Sequence, residues 1–337
     1  MKKNIKKIIL LFITFVFLYL VFVNINVSEF IKVIKGFDFR YVFLLMISIS
    51  LSLFCRGICF SRLISKTVPD AKIKDLTALC FTGASLNIVL PARAGDLFRA
   101  YYTGYKYNAD KVKIFGTVML ERIFDVLVIF SFLTIGVFVY HRNALAVNLC
   151  LFAGILILSG VVFAVVTYKY NQTDRICSYI KEKTEKIPFS ELIQKATDFL
   201  NKTCNSFFEG FEVIDTPKNI LIAIIAAIGI WSFECLNFLI VIYGFGCELH
   251  WSVTIFIISF IAMACMIPST SIFIGPYQLA VISAFAIYDV SKETALAMSL
   301  LEQAVVTIFV SFVAAVYLIK NNISYKDIKK DIGESID

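Results

Sequence analysis

The sequence predicts an all-α polytopic membrane protein, with six full transmembrane helices and two re-entrant helical hairpins arranged as an inverted repeat. Three observations carry this. The 337 residues are 59% hydrophobic and 17% charged, with a mean hydropathy of +0.82, far from the averages of a soluble domain. Apolar runs near 8–25, 41–60, 114–140, 146–168, 219–243 and 294–319 each approach the ~20 residues a helix needs to cross hydrocarbon. Lysine and arginine are also distributed very unevenly among the connections, and that bias sets orientation.

In chain order, MKKNIKK followed by an apolar stretch resembles a secretory signal. No small-residue cleavage site follows, so the stretch reads as an uncleaved first span. The run 41–60 is the second span. The run 75–91 ends at Pro91 and is followed at once by Arg93, Gly95, Asp96 and Arg99. If 75–91 dips into the membrane and returns, 25 basic residues lie in the cytoplasmic connections and 5 outside. If it crosses completely, the count becomes 10 inside against 20 outside. The re-entrant reading wins, and both termini are expected in the cytoplasm.

Spans 114–140 and 146–168 follow, then a hydrophilic loop, 169–218, too small to be an independent catalytic domain. Its apolar residues recur at helix-like spacing. They suit a helix on the cytoplasmic membrane surface or an amphipathic pair packed within the loop. After span 219–243, the run 253–288 is interrupted at Pro268 and at Gly275-Pro276. The second piece is too short to span, so it forms a second hairpin, entered from outside. Span 294–319 and a C-terminal tail, 320–337, complete a single integral domain, with repeats over 8–140 and 146–319. Spacing supports the repeat, since Gly95 to Glu121 is 26 residues and Gly275 to Glu302 is 27.

The candidate site follows from the cost of charge in hydrocarbon. An arginine or aspartate at the centre of a spanning helix costs about 2.5–3.5 kcal/mol, so Arg93, Asp96 and Arg99 would together cost about 8–10 facing lipid. They must face water, protein or a charged ligand. A helix starting near Gly95 leaves unpaired N–H groups and a positive dipole end, which attract anions. Arg93 and Arg99 suit bidentate phosphate contact, and Asp96 could orient one of them or recognise an amine. In MLERIFD, Glu121 and Asp125 lie one turn apart, with Arg122 within reach of Asp125. An internal ion pair locking two helices and a substrate or proton relay both fit these residues. Glu302, followed by Gln303, holds the corresponding place in the second repeat. Glu234 with Asn237 forms another polar turn, and Ser269, Thr270, Ser271 and Gln278 make the second hairpin neutral. Nine cysteines without a C-x-x-C pair and only two histidines, His141 and His250, imply no disulfide framework, metal site or histidine-based catalysis. No cofactor is expected.

LPARAGDLFRA, LERIFD and IPSTSIFIGPYQ together resemble the lysylphosphatidylglycerol synthase transmembrane, or flippase-like, family, over roughly residues 8–320. The third motif departs from the family pattern, with Gln278 where a glutamate is expected and no Gly-Gly pair. The resemblance implies translocation of a lipid with an ionic headgroup between leaflets of the cell membrane. The expected partner is a phospholipid of the phosphatidylglycerol type, anionic or aminoacylated, or a polyprenyl-phosphate lipid, and no nucleic acid. The headgroup would bind Arg93, Gly95, Asp96 and Arg99. It would then cross along Glu121, Arg122, Asp125, Glu234 and Glu302, and leave by Gly275 and Gln278. Lysyltransferase activity is not expected from the membrane region alone. A membrane-embedded lipid transferase and a non-transporting partner of a lipid-modifying enzyme are the competing readings.

Overall fold

The computed structural model describes residues 19, 21–23, 25–90, 93–140, 216–264 and 275–323. Most of the expected span 8–25, the span 146–168, nearly all of the loop 169–218, most of the tail and Ser269–Ser271 therefore lie outside the described residues. Among the described residues the structure is entirely helical. The helices are α1 (Val27–Lys35), α2 (Arg40–Leu63), α3 (Ile73–Val89), α4 (Ala94–Lys106), α5 (Lys111–Tyr140), α6 (Pro217–Gly244), α7 (Ser252–Ala264), α8 (Pro276–Ala286) and α9 (Lys292–Lys320).

Length separates these helices into two kinds. α2, α6 and α9, with 24, 28 and 29 residues, are long and apolar enough to cross a membrane; at 1.5 Å per residue they reach about 36–44 Å. α4, α7 and α8, with 13, 13 and 11 residues, are too short. α3, with 17, is at the lower limit. Helix starts follow local chemistry. Asn26 accepts from the N–H groups of Ser28 and Glu29 to cap α1, Thr216 caps α6 with Pro217 in its first turn, and Ser291 caps α9. The helix α1 is a departure from expectation, since residues 26–40 read as a plain connection. Its polar and apolar residues segregate strongly, and none of its nine residues is buried, so it lies against the outside of the bundle. Asn26 N–H donates to Glu293 at 3.0 Å.

The short helices pack in sequential pairs. Cys80 meets Arg99, Gly83 meets Gly95, and Asn87 meets Asp96, so α3 and α4 run antiparallel. The approach is very close: a Cβ on Gly95 would stand 1.9 Å from the Gly83 carbonyl oxygen. Only glycine lets the two backbones meet there. α7 and α8 form the second pair, with Phe256 of α7 against Tyr288, just past the end of α8. At the start of α8, Gly275 adopts φ +101°, and its N–H donates to Gln278 Oε1 at 2.7 Å.

Three apolar clusters hold these parts together. One, around Leu45, Phe238, Ile257 and Phe285, joins α2 and α6 to the α7/α8 pair and α9. Another, around Phe60, Leu79, Phe98 and Ile114, joins α2 to the α3/α4 pair and α5. The third, around Leu63, Leu120 and Ile230, seals α2, α5 and α6. α2 takes part in all three, so it sets the positions of both short pairs. The outward faces of the long helices remain apolar: Phe43, Ile225, Ile308 and Phe312 are exposed, as surfaces solvated by lipid chains require.

Candidate functional site

Between the short pairs lies a cavity of about 350 Å³. Its walls are apolar, from Ile49, Leu53, Phe238, Ile258, Ile261, Val306 and Val310, while its ends are polar and chemically different.

The first end is built by α2, α4 and α5. Glu121 Oε1 accepts from Arg56 Nη1 at 2.7 Å and from Arg99 Nη1 at 3.2 Å, and Glu121 Oε2 lies 3.0 Å from Arg99 Nη2. Asp125 Oδ2 accepts from Arg56 at 3.1 Å and from Arg122 Nη1 at 2.8 Å. Arg122 Nη2 reaches across to Asp96 Oδ1 at 3.3 Å. Three guanidiniums therefore face three carboxylates, and the network is formally neutral. Arg99 and Glu121 are each 1% exposed, and the Arg99 guanidinium also lies 4.6 Å above the Phe60 ring. The low-dielectric surroundings make such pairing obligatory, because a single unpaired charge there would be left uncompensated. Asp96 is fixed further by Asn87, whose Nδ2 donates to Asp96 Oδ1 at 3.2 Å. Asn87 Oδ1 accepts the Asp96 backbone N–H at 3.3 Å.

Arg93 differs from the other arginines. It is the residue before α4, holds a left-handed φ of 54°, is exposed and lines the cavity. Among the described residues it has no hydrogen-bond or ion-pair partner. Its guanidinium is therefore available to an anion, whereas in the first turn of α4 the Asp96 N–H is already taken by Asn87.

The second end is built by α6, α8 and α9. Glu234 accepts from Ser52 Oγ at 2.7 Å and from Asn237 Nδ2 at 3.2 Å. Glu302 accepts from the Tyr277 hydroxyl. Gln278 Nε2 donates to Gln303 Oε1 at 2.6 Å, tying α8 to α9. Trp231 stands between the ends and donates from Nε1 to Asp125 Oδ1 at 2.8 Å.

Of the residues singled out in the sequence, Arg93, Asp96, Arg99, Arg122, Glu234 and Glu302 line this one cavity. Glu121 and Asp125 stand behind the arginines as their counter-charges. Gly95 lies at the helix crossing, and Gly275 and Gln278 form the start of α8. Arg99, read as a direct headgroup contact, lines the cavity and is also paired with Glu121. Asp96, read as orienting Arg93 or Arg99 or as recognising an amine, pairs with Arg122. Arg56, Asn87, Trp231 and Tyr277 were not anticipated as site residues. Arg56 had a visible signal, a lone arginine inside the apolar run 41–60, which has to find carboxylates on another helix.

Comparison with known proteins gives the family. The model of the family described as lysylphosphatidylglycerol synthase TM region matches residues 7–314. A UPF0104 membrane protein of Methanocaldococcus jannaschii is 24% identical over 354 aligned positions, covering 95% of this chain and 97% of that protein. The glycosyltransferase AglD of Haloferax volcanii is 32% identical over 119 positions, 35% of this chain and 19% of AglD. With a family match over nearly its whole length and apolar helices around a cavity lined by buried charge, the chain belongs to the lysylphosphatidylglycerol synthase transmembrane-region family of membrane proteins.

Proposed function

We propose that the protein moves a phosphate-bearing lipid between the leaflets of the cell membrane, as a flippase or lipid transporter. The observation that carries this reading is the cavity of about 350 Å³, with the free guanidinium of Arg93 and the start of α4 at one end. Its volume falls in the range of ligand pockets. Its apolar walls suit the first part of an acyl or polyprenyl chain, and Arg93 suits the phosphate. The ion-pair network then acts as a rigid support that holds α4 and Arg93 in place, with Arg99 as a positioning residue.

The reading includes two opposed re-entrant pairs, α3/α4 and α7/α8, in an inverted repeat. Its support is that both pairs are made of short helices and flank the same cavity. Such pairs can open alternately to the two faces while the bundle around α2 stays intact. The basic-residue bias argues for cytoplasmic termini, so that the α3/α4 pair is entered from the cytoplasm, α4 starts at its tip within the membrane, and phosphate enters from the cytoplasmic side. Phosphatidylglycerol-type and polyprenyl-phosphate lipids both carry the group Arg93 would recognise.

The test is reconstitution of the full chain in phosphatidylcholine vesicles holding a trace of labelled phosphatidylglycerol, with an impermeant quencher added outside. The chain should expose inner-leaflet label, and Arg93→Ala should slow this about tenfold, as expected for loss of one charge-assisted contact. Label movement equal to that of protein-free vesicles would overturn the reading. Recovery of a chemically altered headgroup would favour a transferase, the activity named for AglD.

A further inference from the structure

We propose that Glu234, Asn237 and Glu302 form a second subsite in the cavity, one that binds a small monovalent cation. The cation is either the primary ammonium of a lipid headgroup or a free sodium ion. The inference deepens the transport reading of the same cavity and rests on it only for the access of lipid to that space.

The argument begins with an imbalance of hydrogen-bonding capacity. At the first end every carboxylate has a guanidinium. At the second, among the described residues, neither Glu234 nor Glu302 has a cationic partner. Their donors are neutral: the Ser52 hydroxyl and the Asn237 amide for Glu234, and the Tyr277 hydroxyl for Glu302. The nearby cation, Arg56, is already engaged by Glu121 and Asp125. The two glutamates line one cavity. Two carboxylates held in apolar surroundings are costly as anions, and a bound proton or another positive group relieves that cost.

An independent observation points the same way. Asn237 is 1% exposed and lines the cavity. Its Nδ2 is used by Glu234, yet its Oδ1 accepts from nothing among the described residues. A buried amide oxygen without a donor is uncommon and costs about 1–3 kcal/mol. The unmet needs are thus two carboxylates and an amide oxygen, all acceptors. A primary ammonium offers three donors and no acceptor, and sodium takes oxygen ligands with no donor at all.

For a lipid headgroup, this makes the cavity dipolar, with phosphate toward Arg93 and ammonium toward Glu234 and Glu302. For a free ion, it makes the second end a site that loads together with the anionic lipid and keeps the occupied cavity near neutral.

The experiment uses the full chain in nanodiscs containing phosphatidylethanolamine, phosphatidylcholine or phosphatidylglycerol, each in sodium chloride or choline chloride. Retained lipid is read by mass spectrometry and stability by thermal unfolding. The headgroup source predicts about tenfold preference for phosphatidylethanolamine over phosphatidylcholine, whose quaternary nitrogen has no N–H donor, in both salts. The free-ion source predicts an unfolding temperature that rises with sodium and not with choline, whatever the lipid. Either effect should vanish in the double variant Glu234→Gln, Glu302→Gln, which keeps acceptors for Ser52 and Tyr277, and weaken in Asn237→Leu. Absence of both effects in the unaltered chain, or their persistence in the double variant, overturns the subsite. Retention of phosphatidylglycerol separates the readings: if it is retained while ethanolamine and sodium are inert, the subsite alone fails. If phosphatidylglycerol is not retained either, the transport reading fails with it.

Discussion

At the α2–α4–α5 end of the cavity, Arg56, Arg99 and Arg122 meet Asp96, Glu121 and Asp125. At the α6–α8–α9 end, Glu234 and Glu302 meet hydroxyls and an amide. Both ends bury carboxylates among apolar helices, but only the first neutralises them internally. That network is formally neutral, although Arg99 Nε and Arg122 Nε have no hydrogen-bond acceptor among the described residues. At the second end Asn237 Oδ1 has no donor among the described residues. Charge density alone therefore does not identify a binding surface: the most charged part of the site pairs its own charges, and Arg93 stands outside that network.

This contrast predicts an order of effects. Glu121→Ala should be the most damaging change, leaving Arg56 and Arg99 without their shared carboxylate and costing about 3–5 kcal/mol. The loss would appear as a sharply lowered unfolding temperature in detergent. An unaltered temperature would show that the network is not structural, which would remove the contrast. Gly95→Ala comes next. Its new methyl would meet the Gly83 carbonyl at 1.9 Å, so α3 and α4 must separate, at a cost of about 1–3 kcal/mol. Gly275→Ala on the opposite pair meets a different obstacle, a φ of +101°, and should cost about 1–2 kcal/mol by backbone strain.

Trp231→Phe removes the indole donor from Asp125 while keeping most of the ring. A hydrogen bond to a charged group contributes about 1.5–3 kcal/mol, of which the two arginines on Asp125 should recover part. A double-mutant cycle with Glu234→Gln would sharpen the comparison: coupling near zero is expected if the two ends are energetically separate. The smallest effect on stability is expected for Glu302→Gln, within about 1 kcal/mol, because the amide oxygen can still accept from Tyr277. A loss as large as that of Glu121→Ala would mean that Glu302 is a structural group like the others.

Much of the fold was legible in the residues. Long apolar runs predicted α2, α5, α6 and α9 within a few residues, since hydrophobic length is a local property. Pro91 and Gly275-Pro276 marked the breaks between short helices, because proline and glycine act on the backbone where they stand. α1 was missed: nine residues of mixed polarity give a weak periodic signal next to membrane-length runs. Among site residues, the i, i+3 contact of Arg122 with Asp125 was readable from spacing, and so was the interior placement of Glu234 and Glu302, since charge in an apolar run has to turn inward.

What the sequence by itself determined is that this is a helical membrane protein with charge inside it, and where along the chain the helices break. Which charges neutralise one another was decided only in three dimensions. Arg56 and Glu121 are 65 residues apart yet joined at 2.7 Å, and Trp231 reaches Asp125 across 106 residues. The physical reason is that pairing of buried charge depends on which helix faces meet, and that is set by close approaches such as Gly83 against Gly95 and by the apolar contacts of α2. No local pattern encodes those meetings. They bring Arg99 against Glu121, while Arg93, six residues away in sequence, stands outside that network.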